Sequence, residues 1–169
     1  MRVVVGIDPG LASTGFGVVA EDRGRYRHLG HEVLRSCSTS TTGERLAAIH
    51  EALGRLVAQY NPVEAAVETL YFARNVSSAL PVAQARGVLL LTLHQCGVAA
   101  HEYSPQEIKL AIVGRGRAEK EQVQELVRIL LKLEQLPSSS HAADALAVAI
   151  CHLQSSAGMR RIEAGLAGR

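Results

Sequence analysis

The sequence predicts one layered α/β domain, on three observations. An unbroken apolar run near the start, Val3 to Ile7, is stopped by Asp8-Pro9-Gly10, the pattern of a fully buried strand ending in a turn. Two later apolar segments, Ala65 to Val67 and Val98 to Tyr103, flank a helical stretch and so describe a βαβ unit. Hydrophobic residues make up 47% of the 169-residue chain but aromatic residues only 4%, with no Trp. The core must therefore be packed from Val, Leu, Ile and Ala, as in layered α/β proteins. The length suits a single domain.

After the first strand, Gly15 to Ala20 reads as a second and the His-rich stretch Tyr26 to Cys37 as a third, toward an edge; the tight loops imply an antiparallel meander. Thr41-Thr42-Gly43-Glu44 has the form of a helix start. Leu46, Ile49, Leu53, Leu56 and Val57 then recur at helical spacing until Tyr60-Asn61-Pro62 stops them. The short strand that follows ends in Glu68. In the helical stretch Ser77 to His94, Pro81 is best tolerated near the helix start, which places that start near Ala79 or Leu80. Ser104-Pro105 begins a short helix to about Val113, Gly114-Arg115-Gly116-Arg117 breaks it, and Ala118 to Leu133 forms another. Ser140 is the expected N-cap of a last helix from His141 to about Leu153. Residues 1–154 then form the domain, and 155–169, with Arg160, Arg161 and Arg169, form a flexible tail that could touch an anionic partner.

Several classes are disfavoured. The three cysteines, Cys37, Cys96 and Cys151, are far apart and lack Cys-x-x-Cys spacing, which supports neither a disulfide framework nor a structural zinc site. The apolar runs are too short for a signal peptide or a membrane span, so a cytoplasmic protein is expected. The net charge of +2 does not by itself imply a nucleic-acid partner.

Three acids stand where an acid is odd: Asp8 and Glu68 at the ends of buried strands, and Asp144 inside an apolar helix. Each has an ordinary explanation alone, as turn residue, strand-end surface acid or first-turn helix acid. Together they suggest more. Strand ends on one sheet edge converge, and a helix start packed beside them brings in the third carboxylate. Such a cluster repels itself unless a divalent cation neutralises it, and oxygen donors suit Mg²⁺ or Mn²⁺. His141, three residues before Asp144, shares its helix face and could be a metal ligand, a general base or a structural residue. The remaining histidines show no ligand spacing.

Arg74, Arg86, Lys109, Arg115, Arg117 and Lys120 put positive charge near the same edge, although Glu119, Glu121 and Glu125 are interleaved with some of it. The glycines between Arg115 and Arg117 let the backbone approach phosphates, which the basic side chains neutralise. Tyr71-Phe72 offers faces on which an unpaired base could stack.

The ordered segments Gly6-Ile7-Asp8-Pro9-Gly10, Thr14-Gly15-Phe16-Gly17-Val18, Val67-Glu68-Thr69-Leu70-Tyr71, Gln84-Ala85-Arg86-Gly87-Val88, Ala118-Glu119-Lys120 and His141-Ala142-Ala143-Asp144 resemble the RuvC family of Holliday-junction resolvases. The resemblance spans most of the chain. It implies a ribonuclease H-like fold with a five-stranded mixed sheet flanked by helices. It also implies a homodimer that nicks two strands of like polarity at four-way junction DNA in recombination and repair, served by a branch-migration complex of the RuvA and RuvB kind. Asp8, Glu68 and Asp144 match catalytic acids that hold Mg²⁺, with Mn²⁺ able to substitute and two ions per site. His141 stands where the family often has an aspartate, which leaves its task open between metal ligand and base. Tyr71 matches an aromatic that stacks on a base, Lys109 and Lys120 match lysines near the scissile phosphate, and Arg74 and Arg86 match less closely. Two rivals follow from the same residues. Asp8-Pro9-Gly10 with Thr14-Gly15 also resembles the first phosphate loop of actin-like ATPases, but a second lobe and a second Asp-x-Gly loop are missing. A junction-binding protein without activity would not require the intact acidic set.

Overall fold

In the computed structural model, which describes residues 1–69 and 76–167, β1 (Arg2–Asp8), β2 (Ser13–Asp22) and β3 (Arg25–Arg35) form the antiparallel meander. α1 (Thr42–Tyr60) leads to β4 (Glu64–Glu68), which pairs parallel with β1. α2 (Val76–Gln95) then carries the chain to β5 (Ala99–Tyr103), parallel to β4. The strands lie in the order β3-β2-β1-β4-β5, so β1 is central and β3 is at an edge, as expected. α3 (Pro105–Val113), α4 (Lys120–Leu131) and α5 (Ser140–Ala167) complete the chain.

The helix ends follow local chemistry. Thr41 and Glu44 cap α1 reciprocally, Ser104 and Glu107 cap α3 in the same way, and Asn61 and Gly114 end these two helices in the left-handed conformation. Two boundaries differ from expectation. α2 begins at Val76, ahead of Ala79, because Pro81 in its second turn costs the helix only one hydrogen bond near its start. α5 runs on past Leu153 to Ala167, through residues expected as a tail. Good helix formers dominate that stretch, and Ser156 Oγ donates back to the carbonyl of His152 at 2.7 Å, which the helix accommodates.

Strand alternation divides the core in two. Val3, Val5 and Ile7 of β1 pack with Phe16, Val18, Leu53, Leu89 and Leu93 on the α1/α2 face. Val4 faces the other way, onto a cluster with Ala66, Ile108, Val127, Leu146 and Ile150 beneath α3, α4 and α5. On this second face the sheet carries glycines where α5 crosses it. A methyl group at Gly6 would lie 2.0 Å from the carbonyl oxygen of Ala145, one at Gly15 2.1 Å from that of His141, and one at Gly17 2.7 Å from the amide nitrogen of Leu146. At these glycines α5 thus rests directly on the β1 and β2 backbones with no strand side chain between, and its Ala-rich sequence suits that contact.

Gly6→Ala should therefore destabilise the fold by about 3 kcal/mol, because backbone must move to admit the methyl group. Gly54→Ala, at an α1 position with open space beside it, should stabilise by about 0.5 to 1 kcal/mol. Urea denaturation of both variants measures this contrast, and equal effects would contradict the glycine-floor account.

Candidate active site

Alternation along the strands aims the acids. Asp8 continues the row Val4, Gly6 and Glu68 continues Glu64, Ala66, so both carboxylates point to the α5 face. Pairing of Ile7 with Val67 brings the ends of β1 and β4 level, which sets Asp8 and Glu68 side by side at the C-terminal edge of the sheet. α5 begins above this edge, because Gly15, opposite Asp8 in the β1/β2 ladder, touches the backbone of His141. His141 Nδ1 lies 2.6 Å from Asp8 Oδ2. A carboxylate only accepts, so Nδ1 carries the proton and Nε2 is left to accept one. Asp144 stands one turn further along α5, and its Oδ2 accepts from Lys120 Nζ at 2.5 Å.

The electrostatics follow from this crowding. Burial pushes Glu68 up from an ordinary value of 4.5 to about 7, with the charges of Asp8 and Asp144 adding to the rise and Lys120 opposing it. Asp8 is also raised, first by burial and then by Asp144, against the lowering contact with His141. Three carboxylates this close, with Asp144 helping to raise the proton affinity of both Asp8 and Glu68, are equally a site for a divalent cation. The donors are hard oxygens with one imidazole beside them, a set that fits Mg²⁺ or Mn²⁺. Glu68, Asp144, Lys120 and Lys109 share one open cleft of ≈ 170 Å³.

The family model described as "Crossover junction endodeoxyribonuclease RuvC" matches residues 4–152. The Roseiflexus sp. crossover junction endodeoxyribonuclease RuvC is 47% identical, over 95% of this chain and 96% of the relative. That of Treponema pallidum is 50% identical, over 90% and 78%. A structure of Thermus thermophilus RuvC in complex with Holliday junction substrate superimposes with a TM-score of 0.88 at 36% identity, covering 92% and 95% of the two chains. This chain belongs to the RuvC family. Its mixed sheet with α5 across one face is a ribonuclease H-like fold.

The four residues expected at the RuvC site, Asp8, Glu68, Asp144 and His141, are thus brought together, and Lys120 joins them. The expected nucleic-acid contacts divide. Lys109 lines the cleft, and Arg115 and Arg117 are exposed in the loop between α3 and α4. Arg86 is tied to β5 instead, its guanidinium paired with Glu102 and its Nε buried without a hydrogen-bond partner among the described residues. Tyr71 and Arg74 lie outside the described residues.

A second polar cluster escaped sequence reasoning. At the far end of β4, ligand atoms of Glu64, His101 and His152 lie within 4.8 Å of one another. Arg2 Nε donates to Glu64 Oε2 at 2.7 Å, another Arg2 nitrogen lies 3.1 Å from His152 Nε2, and the Tyr103 hydroxyl meets His152 Nδ1 at 2.7 Å. The composition would suit a metal, but the Arg2 guanidinium already supplies the positive charge. Although burial works to raise Glu64, Arg2 and His152 outweigh it and hold the carboxyl below its ordinary value. Positions 2, 64, 101 and 152 have no local spacing in common, and only strand register and the course of α5 bring them together.

The raised Glu68 has a consequence for stability. Folded, Glu68 keeps its proton up to about pH 7, whereas in the unfolded chain it ionises near 4.5. The folded state therefore binds more protons between these values, and Glu68 subtracts stability as pH rises through them. With divalent ions chelated, Glu68→Gln should be more stable than wild type at pH 8 by about 3 kcal/mol, the difference vanishing toward pH 4.5. Denaturation midpoints across this range test it; a difference independent of pH would refute the assignment.

Proposed function

We propose that this chain is a crossover junction endodeoxyribonuclease that resolves Holliday junctions by paired, metal-dependent nicks in strands of like polarity. The observation that carries the reading is the convergence of Asp8, Glu68 and Asp144 with Lys120 at one sheet edge, in a chain similar to a RuvC solved with a Holliday junction. Asp8, Glu68 and Asp144 would hold Mg²⁺, with Mn²⁺ as a substitute and two ions per site. Bound divalent ions supply Lewis acidity at the scissile phosphodiester.

The chain's own residues do the rest. His141, oriented by its Nδ1–H bond to Asp8, takes the proton of the attacking water at Nε2. The water oxygen bonds to phosphorus, the bond to the 3′ oxygen breaks, and a solvent proton completes the 3′ hydroxyl. Lys120 offsets the charge gathered on the phosphate. Lys109, Arg115 and Arg117 hold the flanking backbone, and Tyr71 would stack on a base near the junction centre. Arg74 and Arg86 remain weaker candidates, Arg86 because Glu102 already holds it. A two-fold homodimer presents two such sites to a two-fold junction, so both nicks follow from symmetry. A RuvA and RuvB motor is the natural partner of this activity, and the cytoplasm its natural place; among the described residues no helix is long and apolar enough to cross a membrane.

Two variants test the reading on a synthetic four-way junction in Mg²⁺, with matched duplex DNA as control. Asp8→Asn should bind the junction about as well as wild type and lose cleavage by about 10³-fold or more; normal cutting would remove Asp8 from the site. His141→Ala should lower kcat by about 10²-fold while the half-saturating Mg²⁺ concentration changes little. Rate rescued by high Mg²⁺ would make His141 a ligand instead. Binding by wild type without any cleavage would leave a junction-binding protein.

A further inference from the structure

We infer that Lys120 competes with the divalent ion for Asp144, so that one ammonium group regulates metal loading and then serves the substrate. The inference rests on the proposed assignment of Asp144 as a metal ligand and goes beyond it. The Lys120 ammonium sits 2.5 Å from Asp144 Oδ2, and both residues line one cleft with Glu68 and Lys109. A divalent ion ligated by that carboxylate would stand within a few ångströms of the ammonium, and two cations at that separation repel strongly. They exclude each other from the same oxygen.

The placement of Lys120 argues that this contact has a purpose other than stability. It is the first residue of α4, where the helix macrodipole disfavours a cation. Its side chain is 51% exposed, so the pair with Asp144 is solvated and worth little to the fold. The long, exposed stem also allows the ammonium to leave. The Arg2 contact with Glu64 differs: that side chain is 15% exposed and its guanidinium is tied by hydrogen bonds to Glu64 and Ser156. When Asp144 turns to an ion, Lys120 exchanges a carboxylate oxygen for a phosphate oxygen of the substrate. Loading with metal and capture of the phosphate are then linked, and junction DNA should tighten metal binding in the wild type by drawing Lys120 away.

Calorimetric titration with Mn²⁺ at fixed ionic strength tests this on wild type, Lys120→Met and Asp144→Asn, with junction cleavage measured in parallel. Lys120→Met should bind Mn²⁺ more tightly, on the order of tenfold, while cleaving more slowly. That combination separates competition from a merely structural role, which would weaken both. If Lys120→Met binds Mn²⁺ no better than wild type while Asp144→Asn binds it poorly, the competition is refuted and Asp144 remains a ligand. If Asp144→Asn binds as wild type does, Asp144 is not a ligand, and the inference falls together with that assignment.

Discussion

Everything at the candidate site depends on how closely α5 lies on the sheet. At Gly6, Gly15 and Gly17 no strand side chain stands under the helix, so at these points α5 is held in close contact with the β1 and β2 backbones. This fixes the height of His141 and Asp144 above Asp8 and Glu68. Proteins usually set a layer spacing with side chains, which can repack when one of them changes. Here backbone rests on backbone, and such a contact cannot be softened by choosing another rotamer. The cost is a weaker strand propensity at three positions. The return is a site whose geometry is set by the most rigid part of the molecule.

The helix then joins two polar clusters of opposite character. At its start, the partners of the acids are exposed side chains, His141 on Asp8 at 44% and Lys120 on Asp144 at 51%. Further along, Arg2 and His152 close on Glu64 with little access to water. A guanidinium held by several hydrogen bonds is a permanent counter-ion. An imidazole and a flexible ammonium are replaceable ones. The same helix is anchored near its middle and left open to exchange at its start, which is the distribution expected of a site that must admit ions and a phosphate backbone.

Much of this was legible in the sequence. The strand ending in Asp8-Pro9-Gly10, the βαβ unit, the capping pairs Thr41 with Glu44 and Ser104 with its short helix, and the stop at Asn61 are local patterns, and local patterns survive folding. Asp8, Glu68 and Asp144 were visible because an acid at the edge of an apolar run contradicts its surroundings. The lysine contact to Asp144 and the Arg2 network were not visible in this way, since their members are far apart in the chain and meet only through strand register and helix direction. The pairing of Arg86 was hidden for the same reason: its partner Glu102 is on a strand that the sequence does not align with it. The start of α2 and the length of α5 depended on how much a proline or a pair of serines costs a helix, and that cost is small where neighbouring turns are good helix formers.

The site violates local preferences several times at once. Two acids end buried strands, three carboxylates gather, and a lysine begins a helix at the pole that repels it. Scattered through the protein, these would be independent costs with no common remedy. Gathered at one edge, each one moderates another: His141 lowers the proton affinity of Asp8, and Lys120 opposes the rise at Glu68. Removing one member therefore changes the charge felt by all the others, and the group behaves as a single unit and not as a sum of residues. A cluster that is only marginally balanced by its own side chains is also one that gains most from an added cation. The same imbalance that makes the residues improbable as structure makes them effective as ligands.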